Sequence, residues 1–585
     1  MNNYSNDGVI PELGTDYKVK YRKSTPISDA EDYPGFNPSK HVYKAGSQVK
    51  TKDGNPRMVF PVDIVCERDV AIQLRDGVTV YADIFRPAEQ NNCPVIIAWS
   101  PYGKQGSWIH NDIFHNRVDV ESEWEDGLNK FEGPVPAYWC RHGYAIINVD
   151  GRGVFKSEGN IPFFGQQEAE DEYDVIEWAG IQPWSNGKVG TCGNSWFAMS
   201  QWNVCRLNPP HLKAIAPWEG ALDLYRDAMH RGGIGDKVFF EGLLIHLFGE
   251  NMTEDIIAMV DKAPLFDEYW KTKVPDVSKS VIPAYVVGSW TNVLHTGGTF
   301  AGWQNYGCDE KWLRVHNRHE WVDFFDPINA EDLRRFFDYY LKGIENGWKS
   351  TPKVRLTVLD PGHNDIMYRA EEEFPLARQQ LEAFYLDVST GGFLRTAPTQ
   401  EASKNYTPDE HGVLFKYTFE QDVEIAGYCK LRLWVSSEGL DDMDVFAYLT
   451  KLDKNGNEIY TEPVKGQFYT GPNGRLRASL RHTDQEKSAD NQPYHTFDRV
   501  EKLQSGEIVP LDIGFWPYAM KWHEGETLVL RLNGQDLLRR PEFPELPCID
   551  TINQPQQGHK HVIHSGGRYN SHLLMPVTNG RIERF

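Results

Sequence analysis

A series of short apolar runs between residues 93 and 316 limits the possible folds of this chain more than any other feature. The runs are bounded mostly by Gly or Pro, and helical patterns lie between them. Such runs are typical of parallel strands that are buried on both faces of a sheet. The pattern therefore predicts an α/β fold. The runs are CPVIIAWSP (93–101), YAIINVDGRG (144–153), GKVGTCG (187–193), LKAIAPWEG (212–220), IPAYVVGSW (282–290) and KWLRVH (311–316).

The pattern changes on both sides of this series and once within it. The first residues are polar, and from Val59 an alternating pattern with a turn at Asp76-Gly77 predicts antiparallel strands. After about residue 375 the helical period is lost, and alternating segments predict a β-sandwich. We therefore expect an N-terminal arm (1–58), an α/β core in two parts (59–220 and 282–375), a helical cap inserted between them (221–281), and a C-terminal β domain (376–585).

Two helices have clear outlines in the sequence. In 329–347 the apolar residues form one stripe, with Asn329 as the cap and Gly347 as the terminator. The acidic opening of 168–180 suits a helix N-terminus, where the macrodipole favours carboxylates. We interpret this charge run as solvated helix surface and not as a metal site.

Composition and charge exclude several functional classes. The 61 Lys and Arg residues against 83 Asp and Glu give a formal net charge of −22, and there is no basic tract. Nucleic acid and anionic membrane surfaces are therefore disfavoured as partners. The chain has no apolar segment of the length of a signal or a membrane span, so we expect a cytoplasmic protein. The eight scattered cysteines include no CxxC pair, which favours free thiols in a reducing compartment.

The segment KVGTCGNSWFAMSQW (188–202) contains a sharp change of secondary structure. A predicted strand ends near Cys192, and a helix without breakers begins at Trp196. A bend between a strand and a helix is where α/β-hydrolases hold a nucleophile, so Ser195 is a candidate. A strict GxSxG motif would have Gly at position 197, where this chain has Phe197. On this pattern alone, Ser195 as a simple helix cap remains an equal alternative.

Several further motifs match a known family in order and spacing. They are YADIFRP, SPYGK, VDGRGVFKSEG, WSNGKVGTCGNSW, GRLRASLR and VPLDIGFWPYAMKWHEGETLVLRL. On these motifs the chain, from about residue 68 to the end, resembles the CocE/NonD serine hydrolases, a group that includes cocaine esterase, X-Pro dipeptidyl-peptidase and α-amino-acid ester hydrolase. The resemblance implies an α/β-hydrolase core, an inserted helical cap and a C-terminal jelly-roll (galactose-binding-like) domain.

The resemblance also implies roles for individual residues. Ser195 falls on the nucleophile, while the backbone N–H of Trp196 and the phenol of Tyr102 fall on the two oxyanion donors. His319 matches the family histidine, and His316 is the alternative. A surface position in a Pro-Tyr-Gly turn is the competing interpretation of Tyr102. The shared DGRG segment suggests that Asp150 and Arg152 form a structural pair that holds a loop.

The chain departs from the family at the acid of the triad, where Asn292 occupies the expected position. An Asn can fix an imidazole tautomer, but it cannot stabilise imidazolium by charge. Glu320 and Asp323 are the natural substitutes, and His295 is a candidate for the wall of the site. The cluster of His316, His319, Glu320 and Asp323 could also be read as zinc ligands. Without an HExxH pattern we prefer the serine apparatus, and we expect no metal and no cofactor.

These observations predict a serine hydrolase that cleaves a small-molecule ester or amide through an acyl-enzyme intermediate. Within the same family, an X-Pro dipeptidyl-peptidase or an acyl-amino ester hydrolase or acylase remains an alternative. A binding protein with an impaired triad, whose β domain binds sugar or drives assembly, is the alternative from another class. A structural assembly protein is a third interpretation, with only the unpaired sheet edges of a sandwich in its favour. A homo-oligomer formed through the β domain also remains open.

Overall fold

The computed structural model describes most of the chain. The described residues are 6–31, 33–50, 54–104, 114–408, 412–540, 543–547 and 560–579.

The α/β core is built on one mixed sheet. In the described residues this sheet has 11 strands in the order β14-β13-β12-β11-β9-β8-β6-β7-β5-β4-β3. The pairs from β7 through β13 are parallel, whereas both margins of the sheet are antiparallel. The strands to Glu371 are β1 (Asn6–Gly8), β2 (Val19–Lys23), β3 (Ser39–Tyr43), β4 (Ile64–Gln73), β5 (Thr79–Pro87), β6 (Cys93–Ser100), β7 (Ala145–Asp150), β8 (Ser185–Asn194), β9 (Leu212–Trp218), β10 (Met252–Glu254), β11 (Ala284–Ser289), β12 (Lys311–His316), β13 (Val354–Val358) and β14 (Ile366–Glu371).

Helices cover both faces of this sheet, which explains the continuous apolar runs. Every residue of β6, β7 and β11 is buried, as expected for strands without a solvent face. The helices are α1 (Pro136–Arg141), α2 (Gln166–Gly180), α3 (Trp196–Cys205), α4 (Val238–Leu244), α5 (Ile256–Lys262), α6 (Glu268–Lys271), α7 (Thr296–Asn305), α8 (Glu320–Phe325) and α9 (Pro327–Phe337).

The segment between β9 and β11 contains a π-helical turn at Leu224–Met229, the helices α4 to α6, and the short strand β10. The N-terminal part of the chain adds strands to both the core and this segment. Strand β3 pairs with β4 at the edge of the core sheet, while β1 and β2 form a three-stranded sheet with β10. The N-terminal residues are thus integrated into two sheets.

The C-terminal part is β-rich. Its strands pair antiparallel almost throughout, with one parallel contact between β16 and β18. The strands are β15 (Gln380–Asp387), β16 (Gly392–Leu394), β17 (Ala402–Tyr406), β18 (Val413–Thr418), β19 (Val423–Gly427), β20 (Lys430–Glu438), β21 (Asp444–Leu452), β22 (Glu458–Ile459), β23 (Thr461–Val464), β24 (Gln467–Tyr469), β25 (Asn473–Arg477), β26 (Val509–Gly514), β27 (Tyr518–Trp522), β28 (Thr527–Asn533), β29 (Arg539–Arg540), β30 (Phe543–Pro547), β31 (Lys560–Ser565) and β32 (His572–Val577).

Two expectations about helices are wrong in detail. Asp326, not Asn329, caps α9, and its carboxylate accepts the backbone N–H of Ile328. Helical structure ends at Gly343, whose φ of 72° favours glycine, and not at Gly347. The period of a stripe shows that a helix exists, but the cap depends on which side chain reaches a free N–H.

The acidic opening of α2 is also not solvated surface. Glu168, Asp171 and Glu172 are buried, because this face of α2 packs against the core sheet and α3. Burial opposes ionisation, and it raises the pKa of Glu168 to about 7.

Seven cysteines lie in the described part of the chain and are free thiols, and all of them except the half-buried Cys308 are buried. Cys548 lies outside the described residues. No helix in the described ranges is long and apolar enough to cross a membrane.

Candidate active site

Ser195 lies at the sharp bend between β8 and α3. Its backbone has a φ of 55°, in the left-handed region that non-glycine residues rarely adopt. The turn is tight: a Cβ on Gly193 would lie 2.7 Å from the ring of Phe197 and 2.8 Å from the carbonyl oxygen of Glu132. The Ser195 N–H donates to the carbonyl of Glu219 at 2.8 Å. This strained strand-turn-helix geometry is that of a nucleophile elbow.

Tyr102 follows β6 and lies beside Ser195. The phenol is buried and within hydrogen-bond reach of the Ser195 hydroxyl. Burial raises the pKa of Tyr102 well above its ordinary value, so the phenol stays protonated and can donate. Tyr102 is therefore not the surface aromatic of the competing interpretation.

The loop that carries Tyr102 is held by ion pairs of Lys104. Its ammonium lies 2.6 Å from Asp69 and 3.4 Å from Asp150, and its backbone N–H donates to Asp150 at 2.6 Å. Arg152 instead pairs with Asp171 at 2.7 Å. The expected pair of Asp150 with Arg152 is therefore wrong, because each residue has a closer partner.

A narrow, largely apolar cavity opens at Ser195. The π-helical turn and α4 cover it, and its described lining contains no carboxylate and no Lys or Arg. The backbone N–H of Trp196 is in the first turn of α3, where an amide has no acceptor within its own helix. The lining residues are Tyr102, Phe164, Ser195, Trp196, Met199, Ala221, Ala228, Phe239, Phe240, Leu243, Leu294 and His295.

His295 is the histidine in this lining. It is 2% exposed and lies at the start of α7, and its Nε2 is 3.8 Å from a carboxylate oxygen of Glu320. Glu320 is itself buried. An imidazole that shares a cavity with a serine hydroxyl, and that has a buried carboxylate near its ring outside the described lining, is an arrangement that can accept and return a proton.

His319 lies outside the described lining of the cavity. Its Nδ1 accepts the backbone N–H of Trp321 at 3.2 Å, so the side chain caps α8. The ring also packs against the indole of Trp321, with ring centroids 4.7 Å apart. In this arrangement Nδ1 is an acceptor, and neutral His319 then carries its proton on Nε2.

His316 and Asn292 meet at a residue that sequence reasoning missed, Glu219. The imidazole Nε2 of His316 lies 2.7 Å from one carboxylate oxygen, and the Asn292 amide donates to the other at 2.8 Å. The side-chain oxygen of Asn292 (Oδ1) accepts the backbone N–H groups of Leu294 and His295, each at 2.9 Å. Asn292 therefore holds the turn that leads to His295. Glu219 lies at the end of the apolar run 212–220 and directly follows β9, and a carboxylate at the carboxyl end of a parallel strand was the available signal.

Asp323 is engaged elsewhere. Burial opposes its ionisation, but the Arg314 guanidinium, which donates to both of its oxygens at 2.9 and 2.5 Å, holds the pKa of Asp323 below its usual value. Of the four possible zinc ligands in the sequence, His316 lies 2.7 Å from Glu219 and 3.5 Å from Asp323, and Asp323 also pairs with Arg314.

A His and carboxylate group with the spacing of metal ligands lies between the two domains, at Asp360, His363 and His523. Its atoms take part in an ion-pair network. His523 contacts Asp360 at 2.8 Å, His363 contacts Glu526 at 3.0 Å, and the buried Lys451 ammonium lies 3.0 Å from Asp360 and 2.7 Å from Glu526. The arrangement therefore serves as a polar contact between the core and the β domain.

Comparisons with known proteins match two separate parts of the chain. Residues 76–248 match the X-Pro dipeptidyl-peptidase (S15) family, and residues 346–574 match the X-Pro dipeptidyl-peptidase C-terminal non-catalytic domain. Cocaine esterase from Rhodococcus is 32% identical over 176 residues, which is 30% of this chain and 27% of that protein.

Solved structures extend the similarity to almost the whole chain. An aminopeptidase from a marine sediment thaumarchaeon covers 94% of this chain and 99% of its own at 14% identity and a TM-score of 0.65, which shows the fold alone. A CocE/NonD family hydrolase from Staphylococcus aureus is 33% identical, covers 95% of this chain and 98% of its own, and has a TM-score of 0.85. With this similarity along its full length, the chain belongs to the CocE/NonD family of hydrolases.

Proposed function

We propose that this protein is a serine hydrolase that cleaves esters, with Ser195 as the nucleophile. The observation that carries the proposal is the strained elbow at Ser195, with the Tyr102 phenol within hydrogen-bond reach of its hydroxyl. A serine in such a turn has a cost in backbone conformation, and strain of this kind clusters at active sites. The names of relatives, cocaine esterase among them, agree with this reaction class.

The reaction would proceed in two halves. The Ser195 oxygen attacks the carbonyl carbon while its proton passes to a histidine, and the oxyanion receives hydrogen bonds from the Trp196 N–H and the Tyr102 O–H. The intermediate collapses, and the alcohol leaves with the proton from the histidine. Water then repeats the sequence on the acyl-enzyme and releases the acid.

Two histidines compete for the role of base. The resemblance indicates His319, whose Nδ1 accepts the Trp321 N–H in α8. The geometry favours His295, which shares the cavity with Ser195 and has the Glu320 carboxylate 3.8 Å from its Nε2. We assign the base to His295 and keep His319 as the alternative.

The cavity also favours one class of substrate. Its described walls are aromatic and aliphatic, so they suit a small, uncharged, apolar group on the substrate. An X-Pro dipeptide or an aminoacyl ester carries an α-ammonium, and an ammonium would have no carboxylate partner within this lining. We therefore place the esterase before the peptidase and the aminoacyl ester hydrolase. Amides of the same acyl groups are slower substrates in this proposal.

The test is labelling with a fluorophosphonate followed by peptide mapping. Stoichiometric label on Ser195 is expected, because the reagent needs an activated serine and no knowledge of the substrate. Aryl esters of acetate and butyrate would then be compared with aminoacyl and X-Pro esters that have the same leaving group. Higher kcat/KM for the uncharged esters is expected. A folded protein that takes no label contradicts the proposal and favours a binding protein with a hydrolase fold.

A further inference from the structure

The buried carboxylate of Glu168 binds the indole of Trp196, whose backbone N–H is a proposed oxyanion donor. It is in the first turn of α2, is 4% exposed, and accepts three N–H groups from three separate segments. One oxygen accepts the Trp196 indole N–H at 2.7 Å and the Trp99 indole N–H at 3.1 Å. The other accepts the backbone N–H of Phe164 at 2.9 Å. A single side chain therefore links β6, α3 and the loop before α2.

Each of these donors belongs to a residue that lines the cavity at Ser195 or lies on the strand that leads to it. Trp196 directly follows the nucleophile, so anchoring its indole also restrains the direction of its backbone N–H. Phe164 lines the cavity, and its ring stacks on the Trp196 indole with centroids 4.2 Å apart. Phe164 has a φ of 58°, a strained conformation that its hydrogen bond to Glu168 helps to hold. Trp99 lies three residues before Tyr102 on the strand that leads to the second donor.

We infer that Glu168 is a positioning residue of the oxyanion site, acting through Trp196 and Phe164 without touching the substrate. This inference rests on the proposed function. It gives a role to a carboxylate that the acidic pattern of α2 did not single out. Three N–H donors favour the ionised form, whereas burial raises the pKa to about 7, so assays at pH 8 keep the carboxylate ionised.

Glu168→Gln tests the inference because it preserves shape but removes acceptor capacity. The Gln amide can satisfy the two indoles with its oxygen, but its NH₂ group then faces the Phe164 N–H, donor against donor. A small displacement of the oxyanion donor should slow the chemical step more than binding. We expect kcat to fall about 10- to 100-fold, with KM changed by less than about threefold. The control is Glu170→Gln on the same helix, where the side chain is 32% exposed and accepts from Gln166.

A double-mutant cycle separates positioning from a general loss of stability. Trp196→Phe keeps the backbone N–H and removes the indole donor, so it should lower kcat to a similar extent. Adding Glu168→Gln to Trp196→Phe should then have little further effect, because both changes disturb one unit: Glu168→Gln displaces Phe164, which stacks on the Trp196 indole, and Trp196→Phe removes that indole. If Glu168→Gln does not fold, a loss of kcat in Trp196→Phe with KM nearly unchanged still supports the link.

Two results would overturn the inference. One is a kcat for Glu168→Gln within twofold of wild type, and the other is a cycle in which the two losses multiply. Labelling of the wild-type protein at Ser195 is measured first. A wild type that takes no label argues against the proposed function, whereas a labelled wild type with an unaffected Glu168→Gln variant argues against the role of Glu168 alone.

Discussion

The two halves of the candidate site differ in how they are built. The nucleophile half consists of Ser195, Trp196 and Tyr102, which follow the neighbouring strands β8 and β6 directly. The base half draws on residues after β9, β11 and β12, where Asn292 and His316 both contact Glu219. The nucleophile half is built from residues that are close together in two short segments, whereas the base half is assembled from distant segments.

The difference shows which part of the site geometry a local turn can fix. A strained bend with a helix behind it presents the serine and an amide N–H together, whatever lies across the cavity. The orientation of an imidazole depends instead on contacts made over long stretches of chain. Asn292 and Glu219 are 73 residues apart, and His316 and Glu219 are 97 apart. The geometry of the base half therefore depends on long-range packing, whereas the geometry of the elbow is set locally.

The largest effect is expected from Ser195→Ala. Removing the nucleophile should lower kcat about 10³-fold or more and abolish fluorophosphonate labelling. Ser185→Ala, at the opposite end of β8, is the control and should leave kcat unchanged. Residual activity above a tenth of wild type would show that Ser195 is not the nucleophile. The contrast between the two halves of the site would then no longer hold.

Replacing the base should come next and decides which imidazole acts. His295→Ala should lower kcat about 10²- to 10⁴-fold, since general-base catalysis contributes that much. His319→Ala should lower kcat less than about tenfold and cost about 1 kcal/mol of unfolding free energy, because it removes a helix cap. Steady-state kinetics and urea unfolding measure both variants. The reverse order of kcat losses would return the base to His319.

Tyr102→Phe tests the oxyanion donor of the nucleophile half. We expect a loss of about 10²- to 10³-fold in kcat, with KM little changed, because the phenol O–H is needed where charge develops. Tyr173→Phe, which removes a half-buried phenol on α2, is the matched control. Equal kcat values for the two variants would show that Tyr102 contributes packing and does not donate to the oxyanion.

The smallest effect on activity is expected from Asn292→Asp, which restores the acid of the family pattern. The new carboxylate would face Glu219, whose oxygen now accepts the Asn292 amide at 2.8 Å. The loss of this donor in a buried site should lower the free energy of unfolding by about 1–3 kcal/mol without raising kcat. Urea unfolding and kinetics at pH 8 measure both quantities. A tenfold gain in kcat would show that the position still orients the catalytic histidine.

Much of the fold follows from periodicity and turn residues. The parallel strands, the loss of helical pattern after about residue 375 and the bend at Ser195 are all local features that packing reinforces. The misplaced details share one cause. Asp326 caps α9 in place of the expected Asn329, and the acidic face of α2 is buried where solvent exposure was expected. Both features depend on neighbouring residues that periodicity does not identify.

The candidate site divides in the same way. Ser195 was a candidate because of the bend after its strand, and Tyr102 was a candidate because of the resemblance; both lie near the carboxyl ends of parallel strands. The sequence showed Asn292 at the expected position of the acid, but it did not show that Asn292 contacts Glu219. Glu168 looked like a solvated helix charge, and nothing in its spacing indicated the two indoles that it accepts.

The sequence alone was sufficient for the series of buried strands between residues 93 and 316 and for the bend at Ser195, because these follow from short-range preferences of the backbone. Tertiary structure decided which histidine lies in the cavity, which carboxylates are buried and what they bind. The physical reason is that a buried polar group must find its partners inside the protein, and those partners come from whichever segments the packing of the sheet brings together.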